Sequence, residues 1–143
     1  MAQDAEAITG AAAATPMSMT ASWLTDNRDL ARIGYDPTLV GLAGVDASKL
    51  PPLVASGSVV GRIRREVAHE LGISETAQVV TGAPDVHMSV IGSGCVRSYE
   101  AHVSIGTTGW ISYPLPRKKT DVLSQMASVP GVGDGQYILV NNQ

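Results

Sequence analysis

The stretch AQVVTGAPDVHMSVIGSG, residues 77–94, constrains the fold most, because it places a strand-type run directly before a helix-type run. Paired valines favour a strand, and the aliphatic residues that follow recur at the spacing of one helix face. The stretch therefore predicts a strand that is followed at once by a helix. Asp85 stands at the junction, where it caps a helix that begins at Val86 or accepts a proton from a substrate hydroxyl. Local sequence leaves both roles open, and the cap is the commoner one.

Other segments carry local signals for short elements. The pair Asp36-Pro37 predicts a helix start, with the aspartate as N-cap and the proline at the first helical position. Residues 65–72 predict a two-turn helix that ends at Gly72. Extended or strand structure is predicted at residues 19–25, 56–63 and 137–140.

Composition excludes several classes of protein. The 143 residues are 44% hydrophobic and 16% charged, which fits a globular chain. A net charge of −3 and an aromatic share of 4% argue against nucleic-acid binding. No apolar run reaches the roughly 18 residues that a membrane span needs. The single cysteine, Cys95, suits a reducing compartment, and we expect a cytoplasmic protein.

A second candidate site is the segment SIGTTGW, residues 104–110, which predicts a β-hairpin with GTTG at its turn. Gly106 and Gly109 let backbone N–H groups approach an anion, and the hydroxyls of Thr107 and Thr108 add donors. The turn is therefore a candidate phosphate cradle. Glycine and threonine are also common in ordinary hairpin turns, so the motif alone leaves both interpretations open.

In order along the chain, these segments resemble the FGGY family of carbohydrate kinases, and most of all its xylulokinase branch. The resemblance begins near Ile8 and is carried by ITG, WLTDNRD, LAGVDASKLPPLVASGSVVGRI, LGISETAQVVTGAPDVHMSVIGSG, AHVSIGTTGWIS and the final NNQ. GAPD…GSG followed by SIGTTG is far more specific than either piece alone. The resemblance implies an α/β fold of the actin-like ATPase (ribonuclease H-like) type, in which ATP and a sugar meet between two domains. It also implies a phosphotransferase reaction on a sugar hydroxyl.

The resemblance assigns roles to the two candidate sites. Asp85 matches the general base that deprotonates the sugar hydroxyl, and it therefore also contacts the substrate. The GTTG turn matches a segment that contacts the phosphates of ATP, with Mg²⁺ as the implied metal. His87, two residues after the base, is a candidate sugar contact or equally a solvent-facing or hydrogen-bonded histidine. No spacing of histidine, cysteine and aspartate in this sequence matches a metal site.

The sequence also departs from the family pattern. It has no D-x-G-T phosphate-binding hairpin of the kind that opens a complete member and helps to hold Mg²⁺, no adenosine-binding glycine motif, and no early sugar-contacting segment. We therefore expect a central fragment of an FGGY kinase. Residues 1–97 would form the C-terminal part of the sugar-binding domain, and residues 98–143 the beginning of the ATP-binding domain. Such a fragment is expected to be inactive alone.

Two other functions stay open at this point. The chain is alternatively a non-catalytic remnant or interaction module of a kinase-like fold. A third hypothesis is a small phosphatase. Such an enzyme needs a second carboxylate or a metal cluster near Asp85, and neither Glu100 nor Asp121 has a convincing spacing from it. The partners implied by the kinase reading are a small sugar and ATP, with neither nucleic acid nor membrane. A homodimer of the full-length parent stays open.

Overall fold

A computed structural model describes residues 2–107 and 109–142, so Thr108 of the GTTG turn lies outside the described residues. The α-helices are α1 (Ala2–Thr9), α2 (Pro16–Met19), α3 (Pro37–Leu42), α4 (Arg65–Leu71) and α5 (Asp85–Gly92). The strands are β1 (Thr25–Asp26), β2 (Gly34–Tyr35), β3 (Val59–Arg62), β4 (Gln78–Val80), β5 (His102–Ile105), β6 (Gly109–Leu115), β7 (Met126–Pro130) and β8 (Tyr137–Asn142). Short 3-10 helices lie at Thr20–Ser22, Leu30–Arg32 and Ala47–Lys49. Within the described ranges, no helix is long and apolar enough to cross a membrane.

The chain divides into two compact units, each built from two segments. Unit 1 comprises Met1–Leu24 and Tyr35–Ala83, and unit 2 comprises Thr25–Gly34 and Pro84–Gln143. Helix α5 and strands β5 to β8 therefore all belong to unit 2. The boundary between residues 97 and 98 concerns the domains of a complete kinase, and it stays a prediction.

Unit 1 contains the antiparallel pair β3 and β4, with α1 packed against both strands. The strand predicted within residues 56–63 and the one within residues 77–82 are confirmed. Buried side chains of this unit come from the segments around the pair and from α3 and α4, and they are Ala14, Thr15, Leu24, Val40, Ile63 and Ala68.

Local signals explain where α3 begins and where α4 ends. The Asp36 carboxylate accepts hydrogen bonds from the N–H groups of Thr38 and Leu39 at 2.8 and 3.1 Å, with Pro37 at the first helical position. Helix α4 ends at Gly72, whose φ of 66° lies in the left-handed region that glycine adopts without strain. Both helices predicted from the sequence are confirmed.

The prediction of extended structure at residues 19–25 is wrong for most of that segment. Helix α2 reaches Met19, and the 3-10 helix Thr20–Ser22 follows it directly. The cause lies upstream, where Thr15 and Ser18 form a reciprocal capping box and Pro16 presets the first helical turn. Only the last residue of the segment lies in a strand, β1.

Unit 2 is organised around a four-stranded antiparallel sheet in the order β5-β6-β8-β7. The predicted hairpin is confirmed as β5 and β6, in register from His102 opposite Ser112 to Ile105 opposite Gly109. Because Gly109 pairs within the ladder, the connection is three residues, 106–108, rather than the predicted four. Strand β7, which carries no clear sequence signal, forms the edge beside β8.

The central strand β8 carries much of the core of unit 2. Ile138 and Leu139 are adjacent and are 0% and 1% exposed, so β8 is covered on both of its faces. A continuous apolar run such as YILV is typical of a strand buried on both sides. Other buried side chains of this unit are Thr25, His87, Val90, Ser112, Pro114, Leu115, Ser128, Pro130 and Tyr137.

Gly131 lies directly after β7, and its N–H donates to the carbonyl oxygen of Gln136 at 2.7 Å. A Cβ atom at position 131 would lie 2.6 Å from that same oxygen, so the backbone would have to shift. We expect Gly131→Ala to lower the free energy of unfolding by about 1–3 kcal/mol, measured by urea titration. The matched control is Gly92→Ala in the same unit, where nothing lies within 4 Å of the added Cβ. We expect the control to change stability by less than about 1 kcal/mol, and equal losses would exclude the close contact as the cause.

Candidate functional site

Asp85 is the first residue of α5, and its side chain is exposed. The expectation that it caps a helix beginning at Val86 is therefore corrected, because the N-cap position is Pro84, which has no capping side chain. One carboxylate oxygen, Oδ1, accepts from the N–H of Val86 at 2.8 Å. This neighbouring contact leaves the rest of the carboxylate accessible to an incoming group.

The backbone at Pro84 explains why α5 begins where it does. Its φ of −59° and ψ of 157° keep it extended, while its carbonyl accepts from the N–H groups of His87 and Met88 at 3.0 and 3.1 Å. The hydrogen bonds of the first helical turn therefore begin at Pro84, the residue before Asp85. An acidic residue in this turn also interacts favourably with the helix dipole, which supports the helix start.

His87 is buried, with 1% of its surface exposed. Its Nε2 lies 2.7 Å from the carbonyl oxygen of Pro130 at the end of β7, and its Nδ1 has no hydrogen-bond partner among the described residues. The solvent-facing alternative for His87 is therefore wrong and the hydrogen-bonded one is confirmed, although sequence reasoning did not predict the burial. The signal was the spacing of three residues between His87 and Val90, which places both on the buried face of α5. A sugar-binding role for His87 stays a prediction.

The GTTG turn connects β5 to β6, and Gly106 and Thr107 are exposed. Gly109 begins β6 opposite Ile105, so the glycine marks where the ladder starts. Helix α5 packs against both strands of this hairpin. The structure therefore brings the helix that carries Asp85 and the hairpin that carries the turn into direct contact within unit 2.

Other features do not add chemistry to this site. No group of three or more histidine, cysteine, aspartate or glutamate side chains in residues 2–107 and 109–142 could hold a metal ion. A cavity of about 230 Å³ lies in unit 1, and it includes neither Asp85 nor the GTTG turn. Its lining is mainly apolar and comprises Ala5, Ile8, Ala13, Ala14, Thr15, Ser18, Val60, Val79, Val80, Thr81 and Gly82.

Because His87 is buried, the stability of the folded chain should depend on pH. It lowers the pKa of His87 below the usual value near 6.5, although the bond to Pro130 and the charge of Asp85 act in the opposite direction. The unfolded chain therefore binds a proton at this position in a pH range where the folded chain keeps it neutral. We expect the contribution of His87 to the free energy of unfolding to be complete above about pH 6.5. Below that pH the free energy of unfolding should fall by at most about 1.4 kcal/mol per pH unit.

Urea titrations at about five pH values between roughly 5 and 7.5 would measure this slope. His87→Leu should flatten it, because the titrating group is gone. His69→Gln is the matched control, since His69 is an exposed histidine of α4. An equal flattening in both variants would contradict the assignment of the slope to His87.

Comparisons with known proteins test the resemblance to the FGGY family. The N-terminal domain of the FGGY family of carbohydrate kinases matches residues 6–92, a range that contains Asp85 and His87. The autoinducer-2 kinase of Enterobacter sp. (strain 638) is 33% identical over 93 residues, and that of Yersinia enterocolitica is 32% identical over 93 residues. Each alignment covers 65% of this chain and 18% of the relative, so the matched part of the chain spans about a fifth of the length of these proteins.

Solved structures show the fold. A ligand-bound xylulose kinase from Lactobacillus acidophilus matches with a TM-score of 0.88 and 20% identity, over 99% of this chain and 28% of that one. A gluconate kinase from the same organism matches with a TM-score of 0.85 and 21% identity, over 96% of this chain and 27% of that one. The predicted fold, a part of the actin-like ATPase architecture, is confirmed. Because the family match spans more than half of its residues, the chain belongs to the FGGY family of carbohydrate kinases.

Proposed function

We propose that this chain is the part of an ATP-dependent sugar kinase that supplies the general base and one contact to the phosphates of ATP. Asp85 is the base, and the GTTG turn, with Gly106, Thr107, Thr108 and Gly109, contacts the phosphates. The observation that carries the proposal is the packing of α5 against β5 and β6, which joins the element that bears an exposed carboxylate to the glycine-flanked hairpin.

The chemistry follows from the two groups. The Asp85 carboxylate accepts the proton of a sugar hydroxyl, whose oxygen then forms a bond to the γ-phosphorus of ATP. The bond between that phosphorus and the bridging oxygen breaks, and ADP leaves. Negative charge on the transferring group is stabilised by hydrogen-bond donors, and backbone N–H groups and threonine hydroxyls are donors of this kind.

ATP and Mg²⁺ fit this chain to different degrees. A turn flanked by glycines, with a hydroxyl at Thr107, is suited to phosphate oxygens. Magnesium prefers carboxylate oxygens and water, and the part of the chain that the structure describes holds no cluster of acidic side chains for it. The described residues therefore do not by themselves form a magnesium site.

For the acceptor we propose a ketopentose of the xylulose type or a related polyol. The xylulokinase-like motifs support it, as do solved xylulose kinases that share this fold. The curated relatives are autoinducer-2 kinases, so the substrate panel should include autoinducer-2 beside xylulose, gluconate and glycerol. We also propose a cytoplasmic location, which suits the single cysteine.

The proposal predicts different results for the chain alone and for the chain in a complete kinase. Residues 1–143 alone should show no sugar-dependent ATP turnover, because they lack the D-x-G-T hairpin and the adenosine-binding motif. A chimera in which these residues replace the matching segment of a solved xylulose kinase should phosphorylate a sugar. A coupled ADP-release assay measures both.

The controls separate inactivity from failure to fold. Circular dichroism and a urea titration establish that each protein is folded before its turnover is measured. A folded chimera without turnover on any sugar of the panel would contradict the proposed function and favour a non-catalytic remnant. Turnover by the isolated chain would contradict its predicted inactivity.

A further inference from the structure

His87 connects two elements that are far apart in sequence. It lies in the first turn of α5, two residues after Asp85, and its ring bonds to Pro130, 43 residues away, at the end of β7. The side chain is 1% exposed, and Val90, one turn further along the helix, is 0% exposed. The bond therefore forms inside unit 2, where water does not compete for either partner.

The partner determines which nitrogen carries the hydrogen. A carbonyl oxygen only accepts, so Nε2 of His87 must be the donor at 2.7 Å. Burial lowers the pKa of His87 and thereby favours the neutral ring. Nδ1 is then a buried acceptor, and it has no hydrogen-bond partner among the described residues.

This arrangement is not what stability alone favours. An unpaired buried acceptor is at least as unfavourable as one neutral hydrogen bond is favourable. An apolar side chain such as leucine would occupy the same interior position without an unpaired Nδ1. The histidine instead provides a directional bond between the start of α5 and the end of β7.

Asp85 lacks such an anchor of its own. Its side chain is exposed, and its hydrogen bond goes to the N–H of the next residue, Val86. The direction of the carboxylate therefore depends on how firmly the first turn of α5 is fixed. We propose that His87 is a positioning residue, which ties this turn to Pro130 and thereby orients the Asp85 carboxylate toward its substrate. The inference rests on the proposed function in that it takes Asp85 as the base.

The first test uses the 143-residue chain labelled with ¹⁵N. Long-range ¹H–¹⁵N correlation should show the Nε2–H tautomer for His87, and an Nδ1–H tautomer would overturn the proposal. Hydrogen exchange of the Met88 amide, which bonds to Pro84 in the first turn, then reports how firmly that turn is held. The Ala68 amide, which bonds to Arg64 in unit 1, is the internal reference.

Two variants separate positioning from simple packing. His87→Leu should accelerate Met88 exchange by about 3- to 10-fold relative to Ala68. His87→Gln, whose amide group is a donor to Pro130, should restore most of the protection. Couplings that report χ1 of Asp85 should show one dominant rotamer in the natural chain and in the glutamine variant, and averaging in the leucine variant. Unchanged Asp85 couplings in His87→Leu would overturn the proposal, and if that variant does not fold, the tautomer and the glutamine variant still decide.

The chimera distinguishes this inference from the proposed function. If the chimera turns over, His87→Leu should lower kcat by about 10-fold with little change in the KM for ATP, and His87→Gln should recover most of it. An active chimera whose kcat is insensitive to His87→Leu contradicts the positioning role alone. An inactive chimera that shows the Nε2–H tautomer and the expected Asp85 couplings contradicts the proposed function, and the link between α5 and β7 stands.

Discussion

Asp85→Asn should lower the kcat of the chimeric kinase by about 10²- to 10⁴-fold, the range that a positioned general base supplies. Asparagine has nearly the shape of aspartate but cannot accept the proton of a sugar hydroxyl. The exposed position of Asp85 at the start of α5 means that the substitution leaves no buried group unpaired. The KM for ATP should change little, because the loss concerns the transition state. Steady-state kinetics with the best sugar of the panel measures both constants.

The matched control for this experiment is Asp134→Asn. Asp134 is an exposed aspartate in the loop between β7 and β8, and it belongs to neither candidate site. The two variants have the same change in charge and nearly the same change in shape. A kcat for Asp85→Asn within a few-fold of the parent chimera, or equal losses in both variants, would exclude Asp85 as the base.

Local sequence predicted those parts of the fold whose causes are themselves local. The helix start at Asp36-Pro37, the helix end at Gly72 and the hairpin around the GTTG turn each depend on a few neighbouring residues. The strand-to-helix junction at Asp85 was predicted for the same reason. Its helix boundary was missed by one residue, because Pro84 takes the N-cap position without a capping side chain.

Sequence reasoning failed where the cause is a distant contact. Strand β7 ends in Pro130, which has no N–H for a ladder, and it forms only as the edge partner of β8. The bond between His87 and Pro130 joins residues 43 apart, and no local pattern encodes it. The hydroxyl of Tyr137 similarly donates to the backbone carbonyl of Arg28, 109 residues earlier, at 3.0 Å, and this fixes the segment 25–34 within unit 2.

The candidate site was likewise predictable from the sequence only in part. The residue types that carry chemistry, a carboxylate and a glycine-flanked turn, are visible in the sequence. The contact between the elements that carry them, α5 and the hairpin of β5 and β6, is a property of the packed unit. Both the burial that lowers the pKa of His87 and its carbonyl partner come from the packed unit, and a single sequence displays neither.

Ile138→Ala should have the largest effect on stability, with a loss of about 2–5 kcal/mol in the free energy of unfolding. Ile138 is 0% exposed on the central strand β8, between Pro114 of β6 and Val129 of β7. Removing its side chain leaves a cavity beside residues of both β6 and β7. Because both strands are held in the sheet by their hydrogen bonds to β8, we expect them not to close the cavity fully. Because a whole domain is stable by only about 5–15 kcal/mol, this loss is a large fraction of the total.

Ile105→Ala is the matched control, because it removes the same atoms from a strand of the same sheet. Ile105 is 92% exposed, so no core contact is lost, and we expect a change within about 0.5 kcal/mol. Urea titration of both variants at one pH gives the comparison. A similar loss in the two variants would contradict the assignment of the core to β8, since the burial difference between the two isoleucines is the sole reason to expect unequal effects. A small loss for Ile138→Ala with an unchanged m-value would mean that the strands around it close over the space.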